Sequence, residues 1–222
     1  MCGRFAFYSP TEATAALFGA TANLDVEPRY NIAPTQYVAA VRDGEANDRE
    51  LVMLRWGLVP FWAKDPSIGN RMINARAETV AEKPSFRNAY KKRRCLVLAD
   101  GFYEWRREGD VKTPYFISLE DGTPFAFAGL WESWNSKDSD EKLQSTAIIT
   151  TAANDFMAQI HQRMPVVVEP QNADRWLEGE PSMLSELIEK PPAFRAWPVD
   201  RTVNNARNEG EKLIEPAGEA MS

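Results

Sequence analysis

The sequence contains few of the residues on which metal sites and disulfides depend. Its 222 residues include two cysteines, Cys2 and Cys95, and one histidine, His161. Two cysteines cannot form a disulfide framework, and with a single histidine they do not supply the four ligands of a structural zinc site. We therefore expect no metal.

Motifs that hold nucleotides or assemble a hydrolase triad are also missing. There is no P-loop, no Gly-x-Gly-x-x-Gly, no nucleophile-elbow serine and no Cys-x-x-Cys. The formal net charge of −6 argues against nonspecific coating of nucleic acid, because that affinity comes from clustered cations. We expect no cofactor, and any contact with nucleic acid has to be local.

Long apolar runs are absent as well. No stretch approaches the roughly 20 apolar residues of a membrane helix, and no apolar signal-peptide core follows Met1. A composition of 44% hydrophobic and 26% charged residues is typical of soluble globular domains. We expect a cytoplasmic monomer with no membrane partner, one domain over residues 1–216 and a polar, disordered tail over residues 217–222.

Short β-rich runs joined by tight turns make up most of the chain. Turn signals occur at Asp43-Gly44, Asp100-Gly101, Gly109-Asp110 and Asp121-Gly122. Short strands with tight connections pair in the antiparallel sense. The sequence predicts an α+β fold, a single domain with a curved, barrel-like antiparallel β-sheet and peripheral helices.

Helix and loop signals occur at three places in the first half of the chain. Ser9-Pro10-Thr11-Glu12 has the form of a capping box that starts a short helix. The polar, proline-punctuated residues 29–34 are typical of a loop. Residues 75–81 are predicted to be helical, with Asn74 as the N-cap and Arg76 in the first turn.

The start of the chain places a thiol directly after Met1. If Met1 is removed, Cys2 carries an α-amine of pKa roughly 7.7 to 8 beside a thiol of pKa about 8.5. Two nucleophiles on adjacent carbons can capture an aldehyde twice, first as a Schiff base and then as a thiazolidine ring. A buried cysteine at the head of a first strand fits the same four residues, Met1 to Arg4.

Glu104 and His161 are candidates for proton transfer. Glu104 lies among aromatic residues in Phe102-Tyr103-Glu104-Trp105, and an apolar setting raises the pKa of a carboxyl group toward neutrality. A solvent-facing glutamate on an alternating strand fits the same pattern. His161 has a side chain that titrates near neutral pH, between a predicted helix and a predicted strand, and is either catalytic or structural.

Two further patterns have a binding interpretation and a plain structural one. Phe61 and Trp62 either pack into a core or, at an exposed loop tip, stack on unpaired bases at roughly 1 to 3 kcal/mol per base. Arg76 in the first turn of a helix would oppose the helix dipole, which suggests a bound anion. Asn74 fits an ordinary helix N-cap.

Several motifs, in order along the chain, together resemble the SRAP (SOS response-associated peptidase) family. The motifs are Met1-Cys2-Gly3-Arg4-Phe5, Tyr30-Asn31-Ile32-Ala33-Pro34, Arg55-Trp56-Gly57-Leu58-Val59-Pro60, Ile73-Asn74-Ala75-Arg76-Ala77-Glu78-Thr79, Ala99-Asp100-Gly101-Phe102-Tyr103-Glu104-Trp105, Ile160-His161-Gln162-Arg163-Met164-Pro165 and Val203-Asn204-Asn205-Ala206-Arg207-Asn208. The resemblance runs from Cys2 to about Pro216.

The resemblance implies a sensor of abasic sites in single-stranded DNA that crosslinks itself to the lesion through an N-terminal Cys2. A ring-opened abasic site is an aldehyde, which agrees with the chemistry of an aminothiol. The family pattern places catalytic roles on Cys2, Asn74, Glu104 and His161. The residues expected to contact DNA are Arg4, Pro34, Phe61, Trp62, Arg76, Thr150 and Arg163.

Within that scheme the α-amine of Cys2 attacks the aldehyde, Glu104 and His161 move protons, and the thiol closes the ring. Asn74 holds the cysteine or the opened sugar. The arginines neutralise flanking phosphates, Pro34, Phe61 and Trp62 form a wedge between bases, and Thr150 lines the site.

This chain departs from the family pattern at two points, and two other functions stay open. Relatives can carry two tryptophans where this chain has Phe61 and Trp62, and an arginine near Pro84 where the nearest cation is Lys83. A cysteine-dependent peptidase that cleaves its own leader or another protein is one alternative. A non-covalent reader of damaged single-stranded DNA is the other.

Overall fold

The computed structural model describes residues 2–44, 48–136, 140–180 and 182–221. Its strands are β1 (Phe5–Phe7), β2 (Ala20–Thr21), β3 (Arg29–Ile32), β4 (Tyr37–Asp43), β5 (Arg49–Trp56), β6 (Asn74–Arg76), β7 (Arg94–Ala99), β8 (Gly101–Glu108), β9 (Val111–Leu119), β10 (Phe125–Asn135), β11 (Lys142–Ala152), β12 (Arg163–Pro165), β13 (Val167–Val168) and β14 (Phe194–Pro198). Its α-helices are α1 (Thr11–Leu17), α2 (Arg87–Lys92), α3 (Asp155–Ala158), α4 (Ala173–Glu178) and α5 (Met183–Glu189). Met1 and Ser222, on which the predicted methionine removal and part of the predicted tail fall, lie outside the described residues.

The larger sheet closes on itself. In the described part of the chain it contains nine strands, and β4, β5, β11, β10 and β7 pair in a ring. The hairpins around this ring are antiparallel, as the tight turns predict. Closure comes from a parallel pairing of β5 with β11, which the sequence did not predict because no turn connects those strands. The prediction of a single α+β domain with a barrel-like sheet is confirmed.

A smaller sheet covers one side of this barrel. Its order over the described residues is β14-β9-β8-β1-β3. Phe5 of β1 and Phe102 of β8 are register partners, and both pack edge-on against Phe127 of β10, with ring centroids 5.4 and 6.0 Å apart. Phe5 also contacts Trp56 of β5 at 5.1 Å. These rings join the two sheets and fix the first residues of the chain against the core.

The segment after Ile73 is a strand rather than the predicted helix. Asn74, Ala75 and Arg76 pair in parallel with Ile148, Ile149 and Thr150 of β11. Helix propensity is a weak preference, and pairing with a central strand overrides it here. The helical N-cap predicted for Asn74 is wrong, and so is the argument that placed Arg76 against a helix dipole.

Two other local predictions are also wrong. The first four residues of the loop predicted over residues 29–34 form β3, which pairs with β1. Asn31, a polar residue typical of loops, is buried in this strand, and its side-chain amide donates to backbone oxygens of residues 203, 205 and 208. Ser9 does not cap α1. Its amide and hydroxyl both bond the carboxylate of Asp100, and α1 starts without a side-chain cap.

The described residues of the tail lie along β14. Ala217 donates its amide to Pro198, and Met221 exchanges two backbone hydrogen bonds with Ala196, at 2.7 and 2.9 Å. This differs from the disorder expected from polar composition, because backbone bonds to a sheet edge hold a segment that buries little apolar surface. No helix among the described residues is long and apolar enough to cross a membrane.

Candidate functional site

Cys2 lies at the end of a short arm that continues the smaller sheet. The carbonyl oxygen of Arg4 accepts a hydrogen bond from the amide of Tyr103 at 2.9 Å, so residues 2–4 run beside β8. Cys2 is fully buried, and this burial, together with the nearby Glu104 carboxylate, raises the pKa of its thiol well above the usual range. The thiol is therefore protonated at neutral pH and close to Glu104.

Asn74 connects the larger sheet to this arm. Its side-chain amide donates a hydrogen bond of 2.8 Å to the carbonyl oxygen of Cys2. The position of Asn74 is fixed from both sides, since β6 pairs with β11 and the indole of Trp56 donates to the carbonyl oxygen of Ile73 at 2.9 Å. The Oδ1 atom of Asn74 is buried and accepts no hydrogen bond from the described residues. A hydrogen-bond acceptor is thus available beside Cys2.

Glu104 projects from β8 toward the core side of its sheet. Side chains alternate along a strand, so Glu104 shares the face of Phe102, whereas Tyr103 and Trp105 pack in a separate cluster on the opposite face. The neighbouring rings that suggested an apolar setting therefore do not all surround the carboxyl group. Glu104 is nevertheless only 4% exposed, and burial raises the pKa of its carboxyl group to about 7.

His161 follows α3, whose N-cap is Asn154. The Oδ1 atom of Asn154 accepts a hydrogen bond from the amide of Met157 at 2.9 Å. The amide of Arg163 donates to Nδ1 of His161 at 3.0 Å. Nδ1 also lies 3.1 Å from the carbonyl oxygen of Arg163, so the tautomer depends on which of these two backbone groups the ring bonds. Partial burial lowers the pKa of the imidazole, and the charge of Arg163 acts in the same direction. His161 is therefore neutral at neutral pH.

Glu104 and His161 line one open cleft of about 520 Å³. The other residues that line it are Trp105, Arg107, Lys112 and Asn204. Asn204 accepts a hydrogen bond of 2.7 Å from the indole of Trp105, which fixes the ring at the cleft wall. Two titratable groups, one with a pKa near neutrality, thus face the same open space. Among the described residues, no group of three or more His, Cys, Asp or Glu side chains is arranged to hold a metal ion.

Arg163 and Thr150 are engaged within the protein. Arg163 makes a two-pronged ion pair with Glu78, at 2.7 and 3.0 Å, and donates to the carbonyl oxygen of Thr150 at 2.7 Å. The hydrogen bonds from Arg163 lower the pKa of Glu78, so that the carboxylate stays charged. Thr150 is fully buried, and its hydroxyl lies 3.3 Å from the same guanidinium. Thr150 therefore lies behind Arg163 and not at the surface.

Arg4 is also held internally. Its Nη1 donates at 2.7 Å to both Asn31 Oδ1 and the carbonyl oxygen of Val203, and its guanidinium lies 5.9 Å from the Trp105 ring centre. Partial burial lowers the pKa of this guanidinium. Arg4 thus joins the smaller sheet to residues 203–208. Among the cations expected to contact phosphates, Arg76 is the one that is exposed.

Phe61 and Trp62 form an exposed pair on a short, well-supported turn. They are 54% and 45% exposed, which excludes the core-packing interpretation for both rings. The next residue, Ala63, is buried and accepts a hydrogen bond of 2.7 Å from the indole of Trp134. This turn therefore presents two aromatic rings on a fixed base. Pro34 is half-buried on another loop.

A model of the family "SOS response associated peptidase (SRAP)" matches residues 1–206. The chain belongs to the SRAP family. It is 42% identical over 224 residues to abasic site processing protein YoqW of Bacillus subtilis, covering 97% of this chain and 99% of that protein. It is 34% identical to abasic site processing protein YedK of Escherichia coli, covering 97% and 100%. Its fold matches a crystal structure of a protein from Bacteroides thetaiotaomicron, with a TM-score of 0.87, 25% identity and coverage of 97% and 100%.

In this SRAP domain three residues near the site have no role predicted from the sequence. Glu78 lies within a family motif and neutralises Arg163. Arg107 and Lys112 were not singled out, yet both line the cleft with Glu104 and His161. The Gly109-Asp110 turn could have indicated this pair, because the position of a hairpin turn determines which residues of the two strands lie opposite each other.

Proposed function

We propose that this SRAP protein recognises abasic sites in single-stranded DNA and bonds to them covalently through Cys2 after Met1 has been removed. The observation that carries this proposal is the placement of Cys2 between two polar side chains. Asn74 bonds its carbonyl oxygen at 2.8 Å, and the carboxyl group of Glu104 is close enough to shift the pKa of its thiol. The names of the relatives, abasic site processing proteins, support the same substrate.

The bond-forming steps need no group beyond Cys2 itself. The α-amine adds to the aldehyde carbon of the ring-opened sugar, one water molecule leaves, and a Schiff base forms. The thiol sulfur then adds to the same carbon, and its proton ends on the nitrogen. The product is a thiazolidine ring, and the net change is the loss of one water molecule.

Glu104 and His161 move the protons that these steps require. With a pKa of about 7, Glu104 is present in both protonation states at neutral pH. Its acid form can donate to the leaving hydroxyl, and its carboxylate can accept the thiol proton during ring closure. His161, whose lowered pKa keeps it neutral at neutral pH, can assist opening of the sugar ring.

Asn74 and the surrounding surface position the substrate. The Oδ1 atom of Asn74, which accepts no hydrogen bond from the described residues, can accept one from the freed α-amine or from a sugar hydroxyl. Phe61 and Trp62 can stack on bases next to the lesion, and Pro34 can complete this wedge. Arg76 can pair with a phosphate, whereas Arg4 and Arg163 act first by holding the site together.

Cysteine-dependent peptidase activity has less support from the geometry. A cysteine nucleophile needs a thiolate, which a low thiol pKa and a nearby cationic histidine would favour. Here burial raises the pKa of the Cys2 thiol, and the pKa of His161 is lowered. Both shifts disfavour a thiolate–imidazolium pair.

The test is to mix purified protein with a single-stranded oligonucleotide that carries one abasic site. We expect a band shift that survives denaturing electrophoresis, and its loss in Cys2→Ser. Cys95→Ser is the matched control, because Cys95 is equally buried but hydrogen-bonded to Thr146 inside the barrel. Reversible binding with no denaturation-resistant band would replace the covalent proposal with the non-covalent reader.

A further inference from the structure

The cleft that contains Glu104 and His161 has two cations on its outer wall. Arg107 belongs to β8 and Lys112 to β9, and their Cα atoms are direct register partners across the hairpin. Both side chains are exposed, and both line the cleft. Neither residue was among those expected to contact DNA.

The two charges face each other without compensation from the described residues. Like charges directly opposite each other on antiparallel strands are destabilising. No hydrogen bond or ion pair joins either cation to a described side chain, although the turn between them contains Asp110. The adjacent Arg106 shows the contrast, because it makes an ion pair of 2.7 Å with Glu108. An anion between Arg107 and Lys112 would remove their repulsion.

A phosphate of the DNA backbone fits this position. Arg107 lies three residues beyond Glu104 on the same strand, about 10 Å away at roughly 3.3 Å per residue. Its side chain leaves the other face of β8, that of Trp105, and the cleft takes in side chains from both faces. That distance exceeds the size of the reacting sugar, so the group that reaches Arg107 belongs to a flanking nucleotide. Arg4 and Arg163, also near the site, are already bonded to Asn31 and Glu78.

We propose that Arg107 and Lys112 form a phosphate-binding subsite for single-stranded DNA, next to the reacting residues and continuous with their cleft. The subsite fixes the path of the strand on one side of the lesion, while Phe61 and Trp62 act on bases elsewhere. It rests on the proposed function in taking DNA as the ligand, but it involves no covalent step.

The first test measures reversible binding of a labelled single strand without an abasic site, by fluorescence anisotropy over a range of salt concentrations. Each contact to a phosphate of a single strand contributes roughly 0.7 to the slope of log affinity against log salt. We expect the slope to fall by roughly 0.7 in Arg107→Ala and in Lys112→Ala, and by about 1.4 in the double variant. Arg106→Ala removes one charge from the same strand and should leave the slope unchanged, because Arg106 is paired with Glu108.

The second test identifies the phosphate. Phosphates of the oligonucleotide are replaced one at a time by uncharged methylphosphonates. The parent should lose affinity at the one or two neighbouring phosphates that contact Arg107 and Lys112, and separately at the phosphate that contacts Arg76. The double variant should become insensitive at the first of these positions only, because the cations that contact that phosphate are gone. A double variant that loses affinity at the same methylphosphonate positions as the parent would overturn the proposal. So would a double variant with the parent's salt slope, or an Arg106→Ala variant whose salt slope falls as much as that of Arg107→Ala.

These experiments distinguish a failure of the phosphate subsite from a failure of the covalent reaction at Cys2. The binding experiments use intact DNA, so their outcome does not depend on crosslinking. A parent that shows the expected salt slopes but gives no covalent adduct with abasic DNA would contradict the proposed chemistry and support the subsite. A parent that crosslinks to abasic DNA, together with a double variant whose affinity and salt slope are unchanged, would support the covalent chemistry and contradict the subsite.

Discussion

The side-chain amide of Asn74 and the carbonyl oxygen of Cys2 are joined by a hydrogen bond of 2.8 Å. This bond connects β6, in the closed barrel, to the arm that precedes β1 in the smaller sheet. It holds the first residues of the chain in one orientation, with the thiol of Cys2 toward Glu104. A covalent reaction at Cys2 depends on that orientation, because the amine and the thiol must reach the same carbon.

Asn74→Ala should slow adduct formation by roughly five- to tenfold, which corresponds to the net free energy of one hydrogen bond. The measurement is a single-turnover rate with excess protein. Asn154→Ala is the control, because Asn154 caps α3 away from Cys2 and its loss costs a similar amount of stability, about 1 kcal/mol. Equal slowing in both variants would mean that Asn74 acts only through stability.

Glu104→Gln should change the pH dependence of adduct formation. At low pH the rate should fall because the α-amine is protonated, and above about pH 7 it should fall because Glu104 loses the proton it donates. Gln cannot titrate, so the high-pH limb should disappear and the maximal rate should fall by roughly a hundredfold. Glu132→Gln removes a carboxylate that is equally buried but paired with Arg93, and it should keep both limbs. A high-pH limb that persists in Glu104→Gln would remove Glu104 from proton transfer.

The hairpins and the barrel-like sheet could be predicted from the sequence because their signals are local. Asp43-Gly44 and Gly109-Asp110 mark turns, and the β-rich runs on either side pair with each other. The parallel contacts that close the barrel and position Asn74 could not be predicted. They join β11 to β5 and β6, which lie far from β11 in the chain, and no local sequence pattern predicts a pairing over that separation.

The site residues divide in the same way. The proximity of Cys2, Asn74 and Glu104 was expected only from the family resemblance, since spacing along the chain does not bring residues 2, 74 and 104 together. Composition around Glu104 suggested an apolar setting, and its raised pKa comes from burial between the sheets. The ion pair between Arg163 and Glu78 could not be predicted, because the two residues lie 85 residues apart in the chain.

Glu78→Gln should strengthen reversible binding to single-stranded DNA at low salt. The substitution keeps the shape of the side chain but removes the charge that now neutralises Arg163. If Arg163 then reaches a phosphate, the salt slope should rise by roughly 0.7. Glu186→Gln is matched to it, because that residue pairs with Arg175 at 2.7 Å on helices away from the cleft. Unchanged affinity in Glu78→Gln would restrict Arg163 to a structural role.

Phe61→Ala and Trp62→Ala should each weaken reversible binding to single-stranded DNA, with little effect on thermal stability. Stacking on a base is worth roughly 1 to 3 kcal/mol per aromatic ring, and both rings are more than two-fifths exposed, at 54% and 45%. Leu17→Ala removes another exposed apolar side chain, on α1, and should leave affinity unchanged. Affinity for continuous duplex should respond less, since paired bases offer no free face. Equal losses for single strand and duplex would contradict the wedge.

The most direct measurement is the intact mass of the product formed with an abasic oligonucleotide in the absence of any reductant, followed by mapping of the modified peptide. A Schiff base alone needs reduction to survive denaturation, whereas a thiazolidine does not. We predict the mass of the protein without Met1 plus the oligonucleotide, less one water molecule, with the modification on Cys2. A product that appears only after reduction, that retains Met1, or that maps to any other residue would contradict the mechanism.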